Sequence, residues 1–466
     1  MSLRSSTIRW LSRTKPAGIQ ATHFRHCRGF SLSATRRTDG VFRELTDQRV
    51  QVPWIEAFHK RQKEGQDASQ PSGKPETPPD RDLTPKKMSE SYHSVVLPLA
   101  QEPWLLDTYL NSSGHIRLGT IFMDLDALSG VIAYKHTGDS VTTVTAAFDR
   151  ITINHPLHEI VDLELSGQVT YASGRSSMEI SLQVAKAPKT GEEVRPEDVL
   201  LTCSCTMVSL DPGTKKPVNI APVRTDTDAE KQVYAQGEKN SKHRKDLAQR
   251  SLLKTAPNDE ESDLIHALWQ QQLKYHDPND AIRKPDHVFF MDKTKLSTAT
   301  AIPEQASLHA SPILSLKEIP IIALAFCCAA SFAHVRPTFV SLDPSTFQNP
   351  VPVGSVLYLT ATVVYTDPPL VAGQTGGIAP EETRDDNSQT RVQIRVDSKV
   401  RDVEHGETKP TGQFNYTFTV DKNVKVLPRT YTELMMYVDA RRRARRVIET
   451  VKQGEADDGS QDRVTE

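Results

Sequence analysis

The chain has 466 residues, of which 37% are hydrophobic and 25% are charged, and its formal net charge is −2. This length allows two or three domains, and the composition is that of a globular protein, which excludes a fibrous or wholly disordered chain. Eight of the 57 Lys and Arg residues precede Asp39, whereas all 59 acids lie at or beyond it. The rest of the chain therefore carries about ten excess negative charges, which makes DNA or RNA a poor electrostatic partner.

The first 38 residues contain no acid and are rich in Arg and Ser. This composition is typical of a mitochondrial transit peptide. The string Arg28-Gly-Phe-Ser resembles a processing site and predicts cleavage near Phe30. The alternative is a basic arm that binds nucleic acid, but the basic residues are spread at helical spacings rather than clustered. Residues 39–89 are polar and proline-rich, which predicts a disordered lead-in.

The five cysteines do not form the even, regularly spaced set of a disulfide framework. Cys203 and Cys205 lie two residues apart and therefore share one face of a predicted strand. That spacing favours core packing over metal ligation, and we expect buried, reduced thiols.

Two sets of strands alternate apolar and polar residues, which is typical of antiparallel sheets with one buried face. Part of the first set recurs 194 positions later without a gap: Asp149, Pro156, Leu163, Leu165, Val169 and Tyr171 match Asp343, Pro350, Leu357, Leu359, Val363 and Tyr365. Six matches in one register predict an internal duplication.

An apolar helical stretch precedes each set of strands, at residues 121–136 and 322–334. A helix followed by long antiparallel strands, twice over, predicts an α+β fold in which each helix lies on a sheet. The apolar run 319–333 is shorter than the ~20 residues of a membrane span, so we predict a core helix and no transmembrane segment.

The predicted division of the chain follows these patterns. The repeated units occupy residues 90–224 and 282–425, and a charged helical connector at 225–281 separates them. Residues 426–466 form a C-terminal helix and tail. The arginine-rich stretch 441–446 is interpreted as a solvated helix end that complements the helix dipole, and the alternative is docking to an anionic membrane or to phosphates.

Several strings resemble the mitochondrial branch of the double-hotdog acyl-CoA thioesterases. They are residues 116–130, 134–136, 174–179, 251–257 and 349–355, and the resemblance covers about residues 90–440. It implies two tandem hotdog domains, each with a long central helix wrapped by an antiparallel β-sheet. It also implies acyl-CoA as substrate, fatty acid and CoA as products, a site between the halves, a homo-oligomer and a place in mitochondria, with the matrix preferred.

The resemblance assigns the catalytic carboxylate to Asp126. Thioester hydrolysis needs a group that activates water and donors for the oxyanion, so neither a metal nor another cofactor is required. Ala127 and Gly130 are small and would let a substrate approach the helix closely. Asp124 lies two residues away and should point in a different direction. The alternative is that Asp126 is a solvated or capping acid near the helix start.

A second predicted site is the string Gly174, Arg175, Ser176 and Ser177, which precedes a strand. Its backbone N–H groups, hydroxyls and guanidinium could bind a phosphate or a pantetheine amide of the substrate. A plain tight turn is the alternative.

The second half departs from the family where its helix should begin. Residues 306–320 contain no Asn and no Gly-Gly, and no acid follows between residues 319 and 334. The expected oxyanion donor is therefore missing, although His309 could replace it. This departure leaves an alternative function, a catalytically impaired acyl-CoA-binding hotdog protein.

Overall fold

A computed structural model describes residues 83–111, 114–138, 140–153, 160–188, 194–212, 214–249, 255–275, 283–301, 315–349, 351, 355–371, 389–401 and 406–461. The predicted transit peptide at 1–38 and the lead-in up to residue 82 lie outside these ranges.

The first half places a long central helix between short N-terminal elements and a run of antiparallel strands. Its strands are β1 (Lys86–Lys87), β2 (His93–Leu97), β3 (Thr142–Phe148), β4 (Ile151–Ile153), β5 (Leu163–Ala172), β6 (Ser177–Lys186), β7 (Val199–Leu210) and β8 (Val223–Arg224). Its helices are α1 (Met88–Ser91), α2 (Leu106–Tyr109) and α3 (Leu118–Thr137), and α4 (Asp228–Gln249) and α5 (Asp259–Lys274) follow.

The second half repeats this order. Its strands are β9 (Val288–Phe290), β10 (Leu296–Ala301), β11 (Thr338–Leu342), β12 (Ser345–Thr346), β13 (Val356–Asp367), β14 (Thr390–Arg401), β15 (Thr408–Val420) and β16 (Lys425–Leu427). Its helices are α6 (Ser315–Ala333) and α7 (Tyr431–Gln461). A long helix thus lies on antiparallel strands in each half, which confirms the predicted α+β double-hotdog fold.

One continuous sheet runs through both halves, in the order β10-β13-β14-β15-β11-β4-β7-β6-β5-β2, with β3 pairing β7 and β12. The halves join where Ile151 pairs with Leu342 and Phe148 pairs with Ser345. The repeat offset of 194 converts each of these pairs into the other. We call this junction of β3 and β4 with β11 and β12 the seam, and it has the self-complementary form of an isologous dimer interface.

In each half, a buried Ser or Thr hydroxyl anchors the N-terminal turn to the sheet through two hydrogen bonds. The Ser91 hydroxyl donates to the Met88 carbonyl at 2.7 Å and accepts from the backbone N–H of Val169 at 2.9 Å. In the second half Thr294 donates to Met291 at 2.8 Å and accepts from Val363 at 3.1 Å. Both sheets carry a register shift beside this valine, so the buried hydroxyl satisfies an N–H at an irregularity of the strand ladder.

The helices that follow each sheet are also equivalent. Thr227 and Glu230 form a reciprocal capping box at the start of α4, and Thr430 and Glu433 form one at the start of α7. Helix α4 packs on β5 and α7 packs on β13. The predicted domain boundaries at residues 225 and 426 stay predictions. They fall between each sheet and the helix that covers it.

The arginine-rich stretch 441–446 is not a solvated helix end, so that interpretation was wrong. Arg441 donates to Glu260 at 2.9 Å, and Arg442 makes two bonds of 2.6 Å to Glu261. Arg445 also contacts Glu260. Because these glutamates lie in the first turn of α5, the arginines hold α5 against α7 through paired charges.

A helix that crosses a membrane has to be long and apolar. Within the described ranges, every helix falls short of the length or the apolar character that this demands.

We predict that Thr294→Val lowers the free energy of unfolding by about 1–3 kcal/mol, because it leaves the buried Val363 N–H without an acceptor. Urea unfolding of the full chain measures this change. The matched control is Thr298→Val on the exposed face of β10, which should change stability by less than about 0.5 kcal/mol. Equal stability of the two variants would refute a structural role for the hydroxyl.

Candidate active site

Asp126 lies in the middle of α3 and is only 3% exposed. Its Oδ1 accepts a hydrogen bond of 3.1 Å from the hydroxyl of Thr145 on β3. A buried acid inside a helix is neither a solvated residue nor an N-terminal cap, so that alternative was wrong. The carboxylate instead belongs to a contact between the central helix and the sheet beneath it.

Neutral groups surround this contact on the first-half side. The Ser129 hydroxyl donates to the backbone carbonyl of Asp126 at 2.7 Å. Cys205 is completely buried, and burial above all, with the nearby Cys203 and Asp126, raises the pKa of its thiol well above the usual value. The Cys205 thiol therefore stays protonated, which excludes a thiolate nucleophile at this position, and the burial of both Cys203 and Cys205 agrees with their predicted packing role.

Asp124 has a separate environment, as the helical spacing predicted. Its Oδ2 accepts a bond of 2.6 Å from the buried Tyr109 hydroxyl. Burial raises the pKa of Asp124 to about 8, and the bond from Tyr109 offsets only part of this. At neutral pH Asp124 is therefore mostly a protonated acid that ties α2 to α3, and it does not share the role of Asp126.

The face of α3 that carries Asp126 is turned toward the second half. Phe122 lies one turn earlier on the same face, and its ring centroid is 6.2 Å from that of Phe339 on β11. Helices α3 and α6 pack against each other. The repeat offset maps Thr145 of β3 onto Phe339 of β11, so the two residues occupy equivalent positions beside the seam.

The predicted phosphate-binding string forms the turn between β5 and β6. Gly174 has a φ of +80°, which favours glycine. The carbonyls of Arg175 and Ser176 accept backbone bonds from Ile220 at 3.2 Å and Ser209 at 2.8 Å. These bonds fix the turn, while the Arg175 side chain remains exposed and Ser177 begins β6 half-buried.

Strand register relates this turn to Asp126. Thr145 pairs with Met207, and Met207 pairs with Met178 of β6. Two strand spacings of about 4.8 Å each place the backbone of Met178 about 10 Å from that of Thr145. Ser177, the last residue of the turn string, precedes Met178 directly, so the turn lies about two strands away from the strand residue that binds Asp126.

Residues 306–314 of the segment predicted to lack the second-half donor, including His309, lie outside the described residues, and residues 315–320 form the first part of α6. In the part of the chain that the structure does describe, His, Cys, Asp and Glu side chains do not gather in threes as a metal site requires.

Comparison with known proteins identifies the family. Human acyl-coenzyme A thioesterase 9, mitochondrial, is 31% identical over 373 residues, which cover 77% of this chain and 78% of the relative. The chain belongs to the family of mitochondrial acyl-coenzyme A thioesterases. A hop relative, acyl-coenzyme A thioesterase 2, chloroplastic, from Humulus lupulus, is 27% identical over 380 residues, or 80% of this chain and 82% of its own. No protein-family model matches the chain.

Solved structures of similar proteins include a hexameric acyl-CoA thioesterase, 25% identical with a TM-score of 0.30, which covers 36% of this chain and 98% of its own. Another is an oleoyl thioesterase from Lactobacillus plantarum, 10% identical with a TM-score of 0.37, over 72% of this chain and 96% of its own.

Sequence reasoning proposed Asp126 as the catalytic carboxylate but did not predict its hydrogen-bond partner Thr145. Thr145 stands in the string Thr-Thr-Val-Thr, where each threonine is explained by strand preference alone. A signal was available in the repeat, because the offset of 194 places Phe339 opposite Thr145. A polar residue in one half and an aromatic residue in the other mark a position where the halves differ in role.

We predict that Asp124→Asn removes a pH dependence of stability. Between about pH 4 and pH 8 the unfolded chain releases the Asp124 proton while the folded chain keeps it, so wild-type stability falls as pH rises. The Asn variant, which can still accept the Tyr109 bond, should gain stability relative to wild type over this range. Urea unfolding at pH 5 and pH 8 measures the change, and Asp107→Asn on the surface of α2 is the control. A wild-type-like pH profile in Asp124→Asn would refute the buried neutral acid.

Proposed function

We propose that this chain hydrolyses acyl-CoA thioesters to free fatty acid and CoA in mitochondria, with Asp126 as the catalytic carboxylate. The observation that carries the proposal is the buried Asp126–Thr145 contact on the helix face that turns toward the second half. The 31% identity to human mitochondrial thioesterase 9 supports the same reaction. The impaired acyl-CoA-binding alternative is not favoured, because the first half keeps its carboxylate and the position of that carboxylate at the seam.

The proposed reaction needs few parts. Asp126 takes a proton from water as the water oxygen attacks the thioester carbonyl, and the carbonyl oxygen becomes an oxyanion. The intermediate then expels the CoA thiolate, which recovers the proton. Thr145 fixes the orientation of the carboxylate through its 3.1 Å bond. The first N–H groups of α6 lack helical acceptors, and we propose that they stabilise the oxyanion.

The turn Gly174–Ser177 is proposed to bind the CoA part of the substrate. Its exposed guanidinium and hydroxyl-bearing turn are suited to a phosphate or an amide. Its distance of about two strand spacings from Thr145 lets one extended ligand contact both places.

Import through the N-terminal 38 residues and residence in the matrix complete the proposal. We also propose a homo-oligomer, which gel filtration with light scattering would test. Acyl-CoA is the proposed partner, and a nucleic acid is excluded by the acidic body of the chain.

We predict that Asp126→Asn lowers kcat for acyl-CoA hydrolysis by about 10²–10⁴, because Asn cannot accept the proton from water. Release of the free CoA thiol from acyl-CoA measures kcat on residues 39–466. Asp228→Asn on the exposed start of α4 is the matched control and should retain full activity. Equal turnover by wild type and Asp126→Asn would remove Asp126 from the mechanism.

We predict that Arg175→Ala raises the KM for acyl-CoA about tenfold, because a charge-assisted bond to a phosphate is lost. The KM for the matching S-acyl-pantetheine, which has no phosphate, should not change. Arg401→Ala, an exposed arginine at the end of β14, serves as control. An equal rise in KM for both substrates would contradict phosphate binding by Arg175.

A further inference from the structure

The seam symmetry pairs each residue around Asp126 with a counterpart in the second half. Thr145 and Met207 are paired across β3 and β7, and Phe339 and Phe418 are paired in the same way across β11 and β15. Register shifts follow Thr145 and Phe339 at the same place in the two ladders. One half therefore carries a hydroxyl where the other carries an aromatic ring.

The partner strands show a similar difference, with Cys205 of β7 in the first half and Tyr416 of β15 in the second. Phe148 pairs with Cys205 in the first half, and Leu342 pairs with Tyr416 in the second. The second half thus carries rings at two positions where the first half carries Thr145 and Cys205. We call Phe122, Phe326, Phe339, Tyr416 and Phe418 the seam aromatics.

These rings contact one another across the two halves. The Phe339 ring lies 5.9 Å from Phe418, 6.5 Å from Tyr416 and 6.2 Å from Phe122. Phe326 of α6 lies 6.3 Å from Phe418. The seam aromatics therefore form one continuous cluster that connects the two central helices to β11 and β15.

The seam aromatics differ in their exposure to solvent. Phe122, Tyr416 and Phe418 are at most 2% exposed. Phe339 and Phe326 are only half-buried, although both pack against the core. A large ring that remains partly accessible in the middle of a packed seam borders open space, so Phe339 and Phe326 are the members that a ligand can reach.

The seam aromatics lie close to the carboxylate of Asp126. Phe122 precedes Asp126 by four residues, which is about 6 Å along the helix axis. An acyl chain that leaves the thioester at Asp126 and runs along α3 toward the seam meets the rings after only a few methylenes.

We propose that the seam aromatics close the acyl-binding channel, that Phe339 sets its length, and that the preferred substrates are therefore short acyl-CoA thioesters. This inference rests on the proposed hydrolysis at Asp126 and specifies the acyl group which that site accepts. An acyl chain with additional methylenes has to displace a ring. One methylene too many in a hydrophobic pocket lowers kcat/KM by about ten- to two-hundredfold.

The test compares kcat/KM of residues 39–466 for butyryl-, octanoyl- and palmitoyl-CoA. Wild type should prefer butyryl-CoA. Phe339→Ala should raise the ratio of palmitoyl-CoA to butyryl-CoA at least tenfold, and Phe339→Leu should raise it by less. Phe339→Trp should lower the ratio of kcat/KM for octanoyl-CoA to that for butyryl-CoA, because a larger ring shortens the channel.

The matched control is Phe289→Ala. Phe289 is also half-buried in the second half and packs 5.0 Å from Phe332, near the other end of α6. This variant should keep the wild-type ratio. Melting temperatures identify any variant that fails to fold, and Phe339→Leu then decides the question as the milder change.

The outcomes separate the two proposals. Wild type that releases no CoA from any of the three thioesters overturns the proposed function. Hydrolysis with the same length profile in wild type, Phe339→Leu and Phe339→Trp overturns the role of Phe339 and leaves hydrolysis intact. A wild-type preference for palmitoyl-CoA overturns the short channel.

Discussion

The reciprocal strand pairing at the seam is the contact on which the other features of this molecule depend. Ile151 with Leu342, and Phe148 with Ser345, merge two antiparallel sheets into one and remove an exposed edge from each. The same pairing sets the two central helices against each other. Asp126 faces the second half only because this register holds.

Charged residues at the bends of the seam secure it on both sides. Asp149 contacts Arg244 of α4 at 2.5 Å, and Arg244 reaches Glu179 at 2.7 Å. At the repeated position, Asp343 lies 3.4 Å from Arg443 of α7 and 3.8 Å from Arg150 of the first half. Burial raises the pKa of Asp343 even beside these cations. If one partner were removed, the other would be a buried charge without compensation, which is strongly destabilising. These ion pairs therefore fix each bend to the helix that covers its sheet.

The duplication has produced two different environments from one scaffold. Bulge positions, capping boxes and the buried hydroxyls at Ser91 and Thr294 are shared, because they satisfy backbone groups that any copy of the fold exposes. Side chains around the seam are not shared. The first half has the hydroxyl of Thr145 beside Asp126, and the second half has the ring of Phe339 at the position equivalent to Thr145, so the scaffold is symmetric and its chemistry is not.

The sequence by itself determined the duplication, the long strands, the central helices and the position of Asp126 in the first helix, because periodicity and repeated residues are local properties of the chain. Tertiary structure alone decided that Thr145 binds Asp126, that Tyr109 binds Asp124, and that Arg441, Arg442 and Arg445 bind α5 rather than water. These contacts join residues of different secondary-structure elements, 15 to 185 positions apart. They depend on strand register and on bulges, where a shift of one residue turns every side chain to the opposite face.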